Sequence, residues 1–227
     1  VLFPDAGRNS LSVRDVVVHT QRAADVAKAK AAAADNPPLP GGGVLPAGRA
    51  GRGLNLDFET GDLRDWKATG TAFARQPVLG DAVVARRAPM TSGHVGRHWI
   101  GTYENGLGDG ETGTLESEPF RVSAPWAGFL LTAGPFETTR VELLDAADGR
   151  VLRKLSGADV RRLAPATRNT ETLSPVVWDL AELAGREVRL RLVDEQAGGA
   201  WGHLNFDDFR LYAMKPSWPG ALVVAER

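Results

Sequence analysis

The stretch TRVELLDAADGRVLRKLS, residues 139–156, contains two runs in which apolar and polar residues alternate. Val141 and Leu143 fall on one face of the first run, because successive side chains of a β-strand point to opposite sides of the sheet. Between the runs, AADGR (146–150) supplies the Asp-Gly pair that is typical of a tight hairpin. The stretch therefore predicts an antiparallel β-hairpin.

Short runs of this kind, broken by Gly, Pro and Asp, continue through most of the chain after residue 53. A helical pattern is scarce there and is limited to a turn or two in DLAELAG (179–185). Many short strands with few helices predict an all-β fold, an antiparallel β-sandwich of the jelly-roll type. The ten candidate strands are LNLDFE (54–59), AVVARR (82–87), HWIGTY (98–103), GTLESEPFRV (113–122), AGFLLTAG (127–134), TRVELLDA (139–146), VLRKLS (151–156), SPVVWDL (174–180), EVRLRLVD (187–194) and HLNFDDFRLY (203–212).

Composition divides the chain into four parts. Residues 1–35 are predicted to form an N-terminal extension, with a short strand followed by an Ala-rich helix. Residues 36–53 are rich in Pro and Gly and are predicted to be a linker or a meandering surface segment. Residues 54–213 form the predicted β-sandwich, and residues 214–227 form a C-terminal tail. Because the chain begins with Val1 rather than Met, we interpret it as a piece of a longer protein.

The bulk composition argues against several classes of function. The 227 residues carry a net charge of −1, which gives no reason to expect a nucleic-acid or anionic-membrane partner. Without cysteine, the chain has no disulfides, thiolate metal sites or cysteine nucleophile. No apolar run approaches the length of a membrane span. We therefore expect neither a nucleic-acid partner nor a membrane span.

Two acidic segments that are far apart in sequence are predicted to meet. Glu59 lies in the first candidate strand of the sandwich, and Asp207 and Asp208 lie in the last one. Strand alternation groups Phe206 with Asp208, and Asp207 with Phe209, so one acid must share a side with core residues. Carboxylates and turn carbonyls together would suit a structural Ca²⁺ ion. The alternative is that Glu59 and Asp62 are turn residues and the Asp pair forms salt bridges with Arg.

A resemblance to a known family extends over Leu54 to Tyr212. The chain resembles the C-terminal β-sandwich module of family 32 glycoside hydrolases of the levanase type, which is also classed as a fructan-binding module. It is similar as well to modules in large haem-containing multidomain proteins of planctomycete-type bacteria. The segments that carry the resemblance are LDFETGDLRDW (56–66), WIGTYE (99–104), TGTLESEPF (112–120), TRVELLDAADGRVLRKLSG (139–157), VVWDLAELAGREVRLRLVDE (176–195) and WGHLNFDDF (201–209).

The resemblance implies a galactose-binding-like jelly roll with a non-catalytic role beside a catalytic or redox partner domain. It also implies structural calcium at Glu59 and at Asp207 or Asp208. The chain departs from the family in one loop. The family usually has the sequence GGWGH there, whereas this chain has GGAWGH, with Ala200 inserted. The insertion puts in doubt any ligand role carried over to Trp201 and His203.

Sugar recognition requires an aromatic ring for the apolar face of the sugar and a few polar groups for its hydroxyls. In the pair Arg140 and Glu142, both side chains share one face of a strand, so a simple surface ion pair is the alternative. The candidate sugar-binding residues are Trp99, Tyr103, Glu104, Arg140, Glu142, Asp194, Trp201 and His203.

Signatures of catalysis are weak. No GxSxG motif occurs. His94 and His98 are four residues apart, but they lie in a predicted loop or strand and not on the helix that carries the two histidines of a zinc protease. The adjacent acids Asp207 and Asp208 are predicted to point to opposite faces of a strand, which does not suit a glycosidase acid/base pair. The sequence therefore predicts no catalytic residue.

We predict a non-catalytic carbohydrate-binding-like module of a larger exported bacterial protein, extracellular or periplasmic. It would hold a partner domain near a polysaccharide, with fructan as one candidate ligand. The alternative is a structural interdomain module that has lost sugar binding and mediates docking between proteins. A third hypothesis is an enzyme whose active site the sequence does not reveal.

Overall fold

The structure, a computed structural model, describes residues 39–165 and 170–224. Two six-stranded sheets form the described part of the chain. The first sheet has the order β1-β4-β10-β7-β8, with β5 also paired to β10. Its strands are β1 (Trp66–Gly70), β4 (Gly113–Ser117), β5 (Phe120–Arg121), β7 (Thr139–Asp145), β8 (Val151–Ser156) and β10 (Glu187–Asp194).

The second sheet has the order β12-β9-β6-β11-β3-β2. All its pairs are antiparallel except β12 with β9, which are parallel. The predicted all-β, antiparallel sandwich is thus confirmed. The strands of this sheet are β2 (Val78–Leu79), β3 (His98–Gly101), β6 (Trp126–Ala133), β9 (Ser174–Asp179), β11 (Leu204–Tyr212) and β12 (Leu222–Val224).

Within residues 39–165 and 170–224, the helices are short. Helix α1 spans Ala82–Arg87, helix α2 spans Gly157–Leu163, and a 3-10 helix spans Ala181–Leu183 within the predicted DLAELAG turn. Ser156 and Asp159 form a capping box at the start of α2. No helix within the described ranges is long and apolar enough to cross a membrane.

The core lies between the two sheets. Val141 and Leu190 of the first sheet are fully buried, as the alternating pattern predicts. From the second sheet, the Phe129 ring lies 5.5 Å from that of Phe206 and 5.9 Å from that of Phe209. The predicted hairpin is also confirmed, since β7 and β8 pair antiparallel across a turn in which Gly149 has φ +73°.

Eight of the ten candidate strands contain a strand, and two do not. In the run 54–59, Leu54, Leu56 and Phe58 are buried as the alternation predicts, but the segment forms no ladder with a neighbour. The run 82–87 is helix α1 instead of a strand. Its helical start is fixed by Asp81, whose side chain accepts a hydrogen bond from the Val84 N–H at 3.1 Å.

The segments on either side of the predicted sandwich are bound to it where the structure describes them. Val44 forms an antiparallel bridge with Leu211, and the Trp218 indole N–H donates to the Pro40 carbonyl at 2.7 Å. The tail contributes β12 to the second sheet. Residues 39–53 are therefore not a free linker and residues 214–224 are not a free tail. The predicted strand and helix of residues 1–35 lie outside the described residues.

A β-bulge interrupts β11 at the adjacent acids. Asp207 lies opposite Leu130 of β6 and Arg210 lies opposite Gly128, so the two residues between them face one residue of the partner strand. Asp208 has φ +52°, in the left-handed region. The extra residue places Phe206 and Phe209 together in the core. The predicted grouping of Phe206 with Asp208 is therefore wrong.

Candidate functional site

A dense group of charged and aromatic side chains lies at one end of the sandwich, where β3 and β10 end and β11 begins. We call it the His203 cluster. It collects side chains from α1, from the loop after β3, from the segment before β9 and from the turn before β11. Its members are Arg86, Arg87, Tyr103, Glu104, Asp109, Glu171, Trp201 and His203.

His203 lies at the centre of this cluster and is only 4% exposed. Its Nδ1 atom is 2.7 Å from Asp109 Oδ1, and its Nε2 atom is 3.0 Å from Glu171 Oε2. Burial favours the neutral ring, but the hydrogen bonds and charges of Glu171 and Asp109 outweigh burial and raise the pKa of His203. The two carboxylates therefore favour the protonated ring over the neutral one.

Glu171 is the carboxylate with the most cationic neighbours. Arg86 Nη2 lies 3.2 Å from Glu171 Oε1 and also 2.6 Å from Glu104 Oε1, so one guanidinium joins two carboxylates. Burial tends to raise the pKa of Glu171, but His203 and Arg86 overcome it and lower that pKa to about 2. Glu171 is thus ionised throughout the physiological range.

Two half-buried aromatic rings flank His203. The Tyr103 ring centroid is 5.2 Å from the imidazole, and the Trp201 ring stacks on it at 5.8 Å. The guanidinium carbon of Arg86 lies 4.5 Å from the centre of Tyr103, and that of Arg87 lies 4.9 Å from the centre of Trp201. The cluster thus combines two aromatic rings with three cationic groups.

The two arginines of α1 differ in how firmly they are held. Arg86 is bound to two buried carboxylates, whereas the Arg87 side chain is 45% exposed and makes no side-chain hydrogen bond within the described residues. The carboxylate nearest to Arg87 is Glu171, at 3.8 Å. Arg87 therefore presents donors to solvent while it lies over the Trp201 ring.

Four of the eight predicted sugar-binding residues belong to the cluster: Tyr103, Glu104, Trp201 and His203. Asp194 lies beneath them and is buried, where its Oδ2 accepts a 2.5 Å hydrogen bond from the Thr102 hydroxyl. The same hydroxyl accepts from the Leu204 N–H at 2.9 Å. Burial raises the pKa of Asp194 to about 6. Asp194 supports the loop after β3 and is not placed to touch a ligand.

Trp99 does not lie on a binding surface, contrary to the prediction. Its side chain is fully buried and packs with Val78 and Val83 in a small second core. The indole N–H donates to the Gly80 carbonyl at 2.9 Å. Trp99 therefore fixes the segment that leads into α1, and we withdraw it as a sugar contact.

Arg140 and Glu142 lie on the first sheet and not in the His203 cluster. Arg140 Nε donates to Glu142 Oε1 at 2.6 Å, and Arg191 Nε donates to Glu142 Oε2 at 2.7 Å. Arg140 also pairs with Glu195 at 2.8 Å. Glu142 is buried with both oxygens bonded, so the ion-pair alternative describes this pair better than a sugar contact does.

Sequence reasoning missed Arg86, Arg87, Asp109 and Glu171. The two arginines lie in the run that was predicted to be a strand, and their arrival at the site depends on that run being helix α1. Asp109 and Glu171 are separated from His203 by 94 and 32 residues. No local pattern in the sequence marks either acid.

The predicted calcium ligands lie at the bulge of β11. Asp207 and Asp208 are fully buried, and Asp207 Oδ1 and Asp208 Oδ2 have no hydrogen-bond partner among the described residues. Asp207 Oδ2 accepts from the Val95 N–H at 2.7 Å, and Asp208 Oδ1 accepts from Arg210 Nε at 2.6 Å. The salt-bridge alternative thus accounts for one oxygen of Asp208 only.

Glu59 reaches the same region from the first part of the chain. Its Oε1 accepts from the N–H groups of Arg97 and His98, each at 2.8 Å. Burial raises the pKa of Asp207 well above its usual range, and the charges of Asp208 and Glu59 raise it further. Burial is also the main cause of the raised pKa of Asp208. The three acids therefore repel one another electrostatically.

These features fit a hard cation in part. Two unpartnered buried carboxylate oxygens are the type of donor that Ca²⁺ prefers. Over the ranges 39–165 and 170–224, however, no three Asp, Glu or His side chains are grouped closely enough to hold a metal ion by themselves. A calcium ion here would need Asp207 and Asp208 together with main-chain carbonyls, and Glu59 near the edge of the site.

Comparisons with known proteins give distant relatives. No family model matches the chain. The chain is 28% identical over 155 residues to ecdE of Aspergillus rugulosus, which is provisionally named a glycosyl hydrolase. The match covers 66% of this chain and 20% of ecdE, so the chain spans about one fifth of the length of the curated relative that it matches.

Solved structures with a similar arrangement also lie at low identity. The C-terminal extracellular domain of Mycobacterium tuberculosis EmbC matches 86% of this chain and 71% of its own, at 16% identity and a TM-score of 0.42. The K3 adhesin domain of Lys-gingipain from Porphyromonas gingivalis w83 aligns with 69% of this chain over 95% of its own length, at 15% identity and a TM-score of 0.36. A family 6 carbohydrate-binding module aligns with 66% of this chain over 82% of its own length, at 14% identity and a TM-score of 0.31. Likenesses at this level identify no ligand.

Proposed function

We propose that this domain is a non-catalytic carbohydrate-binding module whose ligand contacts the His203 cluster. The observation that carries the proposal is the convergence of Tyr103 and Trp201. The two rings come from separate loops, are half-buried, and are held 5.2 and 5.8 Å from one buried imidazole. Aromatic rings with a few converging polar groups are the usual composition of a sugar site.

Three polar groups of the cluster remain for a ligand. The Tyr103 hydroxyl, the Trp201 indole N–H and the Arg87 guanidinium make no side-chain hydrogen bond with any described residue. Arg86, in contrast, donates to both Glu104 and Glu171. In this proposal, sugar hydroxyls bond to those three groups. Because guanidinium groups cover the faces of both rings, the sugar contacts ring edges or displaces Arg87.

The charge balance of the cluster favours a neutral sugar. Arg86, Arg87 and the cationic His203 offset Glu104, Asp109 and Glu171, so the cluster is close to neutral as a whole. A neutral ligand then binds without adding an unpaired charge, which is costly in a partly buried site. Fructans are the first ligands to test, because the levanase-type resemblance points to them.

We further propose that a structural Ca²⁺ ion is held by Asp207 and Asp208, with Glu59 contributing at the edge. The unpartnered oxygens of the two buried aspartates support this proposal. When bound, the ion would neutralise the acids and fix the bulge against the loop that Glu59 holds. In an exported protein, a dissociation constant of about 10⁻⁴–10⁻³ M, as in other extracellular calcium modules, would be sufficient for the site to be filled.

We assign any catalysis to other domains of the parent protein. The chain corresponds to about one fifth of ecdE, whose name refers to glycosyl hydrolysis. In this arrangement the domain would keep a partner domain near a bacterial extracellular or periplasmic polysaccharide. Its contribution would come from raising the effective concentration of the partner at the substrate.

Calorimetric titration tests sugar binding directly. Levan, inulin and a panel of neutral polysaccharides are titrated into the wild type, Trp201→Ala, Arg87→Ala and the control Arg162→Ala, which removes an exposed arginine of α2. We expect binding by the wild type and by Arg162→Ala, and a loss of about tenfold or more in Trp201→Ala and Arg87→Ala. Absence of wild-type binding to every polysaccharide would contradict the proposal.

A docking module is the second candidate, and exposed apolar residues favour it. Val44 is 56% exposed, Val223 47% and Met214 81%, and all three lie in the segments that flank the predicted sandwich. The variant Met214→Glu with Val223→Glu should release a neighbouring domain of the parent protein if these residues form an interface. Unchanged protease sensitivity between the domains of that variant would count against docking.

A further inference from the structure

Both ring nitrogens of His203 are in hydrogen-bond contact with carboxylates, and this geometry favours one protonation state. Each ring nitrogen faces a carboxylate oxygen, at 2.7 Å for Asp109 and 3.0 Å for Glu171. An ionised carboxylate only accepts hydrogen bonds, whereas a neutral imidazole has one donor and one acceptor nitrogen. Both contacts are satisfied together only when both nitrogens carry a proton. The observed geometry is therefore that of an imidazolium.

These two contacts join three separate parts of the chain. Asp109 belongs to the loop after β3, and its Oδ2 also accepts a hydrogen bond from the main-chain N–H of Trp201 at 3.2 Å. The Asp109 carbonyl accepts from the Gly198 N–H at 3.0 Å, at the start of the turn that carries Trp201. Asp109 thus fixes the position of that turn.

Glu171 makes the corresponding connection on the other side of the ring. It is bonded to Arg86, and Arg86 lies over the Tyr103 ring. Both aromatic rings of the cluster are therefore positioned through groups that His203 contacts. His203 itself is buried and has no nitrogen left for a ligand, so a direct sugar contact is excluded in this arrangement.

We propose that His203 is a positioning residue, whose doubly protonated ring holds Trp201 through Asp109 and Tyr103 through Glu171. We call the contacts of His203 with Asp109 and Glu171 the clamp. The second part of this inference, that ligand affinity depends on the clamp, rests on the proposed function. The first part, that the clamp exists and sets the ring positions, does not depend on any ligand.

Charged groups from every element around the ring act on this clamp. Asp109 and Glu171 favour the imidazolium, and the charge of Asp194 beneath the cluster is coupled to it as well. Arg86 and Arg87 of α1 lie beyond Glu171 and oppose it, while Glu104 neutralises Arg86. Two carboxylates in direct contact outweigh two guanidinium groups that are one step further away.

The consequence is a defined dependence on pH. The pKa of His203 is raised from 6.5, so the stability that the clamp contributes is fully present below about 6.5 and is lost as the pH rises through the raised value. On deprotonation one nitrogen becomes an acceptor that faces a carboxylate, and that contact opens. Either the Trp201 turn or the Tyr103 side is then released.

The test combines nuclear magnetic resonance of the full chain with a binding profile. The ring nitrogens of ¹⁵N-labelled histidines are recorded from pH 5 to 10, with His203 assigned by its absence in His203→Gln. His94 is an internal control, since burial lowers its pKa to about 4 and keeps it neutral. We expect both His203 nitrogens to be protonated at pH 7, and the side-chain signals of Tyr103 and Trp201 to shift with its titration.

Affinity for levan or another polysaccharide bound by the wild type is measured over the same range. Wild-type affinity should fall by about tenfold as His203 loses its proton, which corresponds to one charge-assisted hydrogen bond. His203→Gln should bind weakly at every pH, with a flat profile. Asp109→Asn should reproduce the loss while it leaves Arg86 in place.

The outcomes separate the two proposals. A His203 ring that is neutral at pH 7, or Tyr103 and Trp201 signals that do not follow its titration, would overturn the clamp whatever the ligand. A confirmed clamp in a protein that binds no polysaccharide would leave the positioning role intact and remove the proposed function. A wild-type affinity profile identical to that of His203→Gln would overturn the link between clamp and affinity.

Discussion

Glu171 and Asp207 are both buried carboxylates, but their surroundings differ sharply. Glu171 is 2% exposed and is contacted by His203 and Arg86, and its pKa is lowered to about 2. Asp207 is fully buried, receives one main-chain N–H, and has a pKa raised well above its usual range by burial and by Asp208. Among the residues that the structure describes, cations therefore surround Glu171 and none pairs with Asp207.

The difference indicates what each region requires. A buried charge is costly unless it is paired and hydrogen-bonded, and a pair whose partner is lost leaves that cost uncompensated. The His203 cluster is complete, because its own side chains neutralise it. At the bulge, Asp207 has no ion pair within the described ranges. The bulge is therefore where an added cation would stabilise the domain, whereas the cluster is where the loss of an internal charge would harm it.

The largest expected effect follows from neutralising Glu171. Glu171→Gln leaves Arg86 and His203 without their shared carboxylate, and removal of one partner of a buried ion pair costs about 3–5 kcal/mol. Urea denaturation at pH 7 measures the free energy of unfolding. The control Glu187→Gln breaks the exposed pair with Arg49 and should cost far less, because solvent screens that pair.

Acid titration sharpens the same prediction. Because the pKa of Glu171 is lowered from 4.5 to about 2, its stabilising contribution is fully present above 4.5 and is lost as the pH falls toward 2. The difference in stability between wild type and Glu171→Gln should shrink over that interval. A difference that is constant with pH, or no larger than that of the control, would show that the cluster is not held by this charge.

The strands could be predicted from the sequence because each depends on local alternation. Val188, Leu190 and Leu192 face the core as their spacing indicates. The run 82–87 could not be assigned in this way, since six residues with two adjacent valines fit a strand or a helix. The N-cap at Asp81 favours the helix, and the helix in turn places Arg86 and Arg87 at the site.

Only the part of the candidate site that has a local sequence pattern was predictable. Tyr103 and Trp201 are aromatic residues in Gly-containing loops, and that local signal identifies them. The role of His203 depends on Asp109 and Glu171, which only the tertiary fold brings together. The bulge at Asp208 breaks the alternation rule itself, so the faces of the two acids could not be assigned from their order in the chain.

Calcium removal is expected to have the next largest effect. At a concentration about 100-fold above its dissociation constant, a bound ion stabilises the folded state by about 2.7 kcal/mol. For a chain of this size that corresponds to a shift of about 5–10 °C in the melting midpoint. Calorimetry with excess Ca²⁺, with Mg²⁺ and after treatment with EDTA measures the shift.

Two variants make the calcium prediction specific. Asp207→Asn should lose the calcium-dependent shift and should be more stable than wild type in EDTA at pH 7, because folding no longer has to bury or protonate an acid whose pKa is raised. Asp62→Asn alters an exposed turn carboxylate and should keep the full shift. Equal melting midpoints of the wild type with Ca²⁺ and with EDTA would exclude the ion, and the bulge would then hold protonated aspartate.

The smallest change in the free energy of unfolding is expected at Arg87. A comparison with Arg86 tests which of the two arginines is needed for folding and which is available to a ligand. Arg87→Ala removes a half-exposed group with no side-chain hydrogen bond among the described residues. Its loss should cost about 1 kcal/mol, from the cation–π contact with Trp201 and the long 3.8 Å ion pair with Glu171. Arg86→Ala should cost several times more, because it leaves Glu104 and Glu171 without their guanidinium. Urea denaturation of the two variants in parallel compares them. Equal losses would mean that Arg87 is part of the folded network, and a ligand could then not recruit it without destabilising the domain.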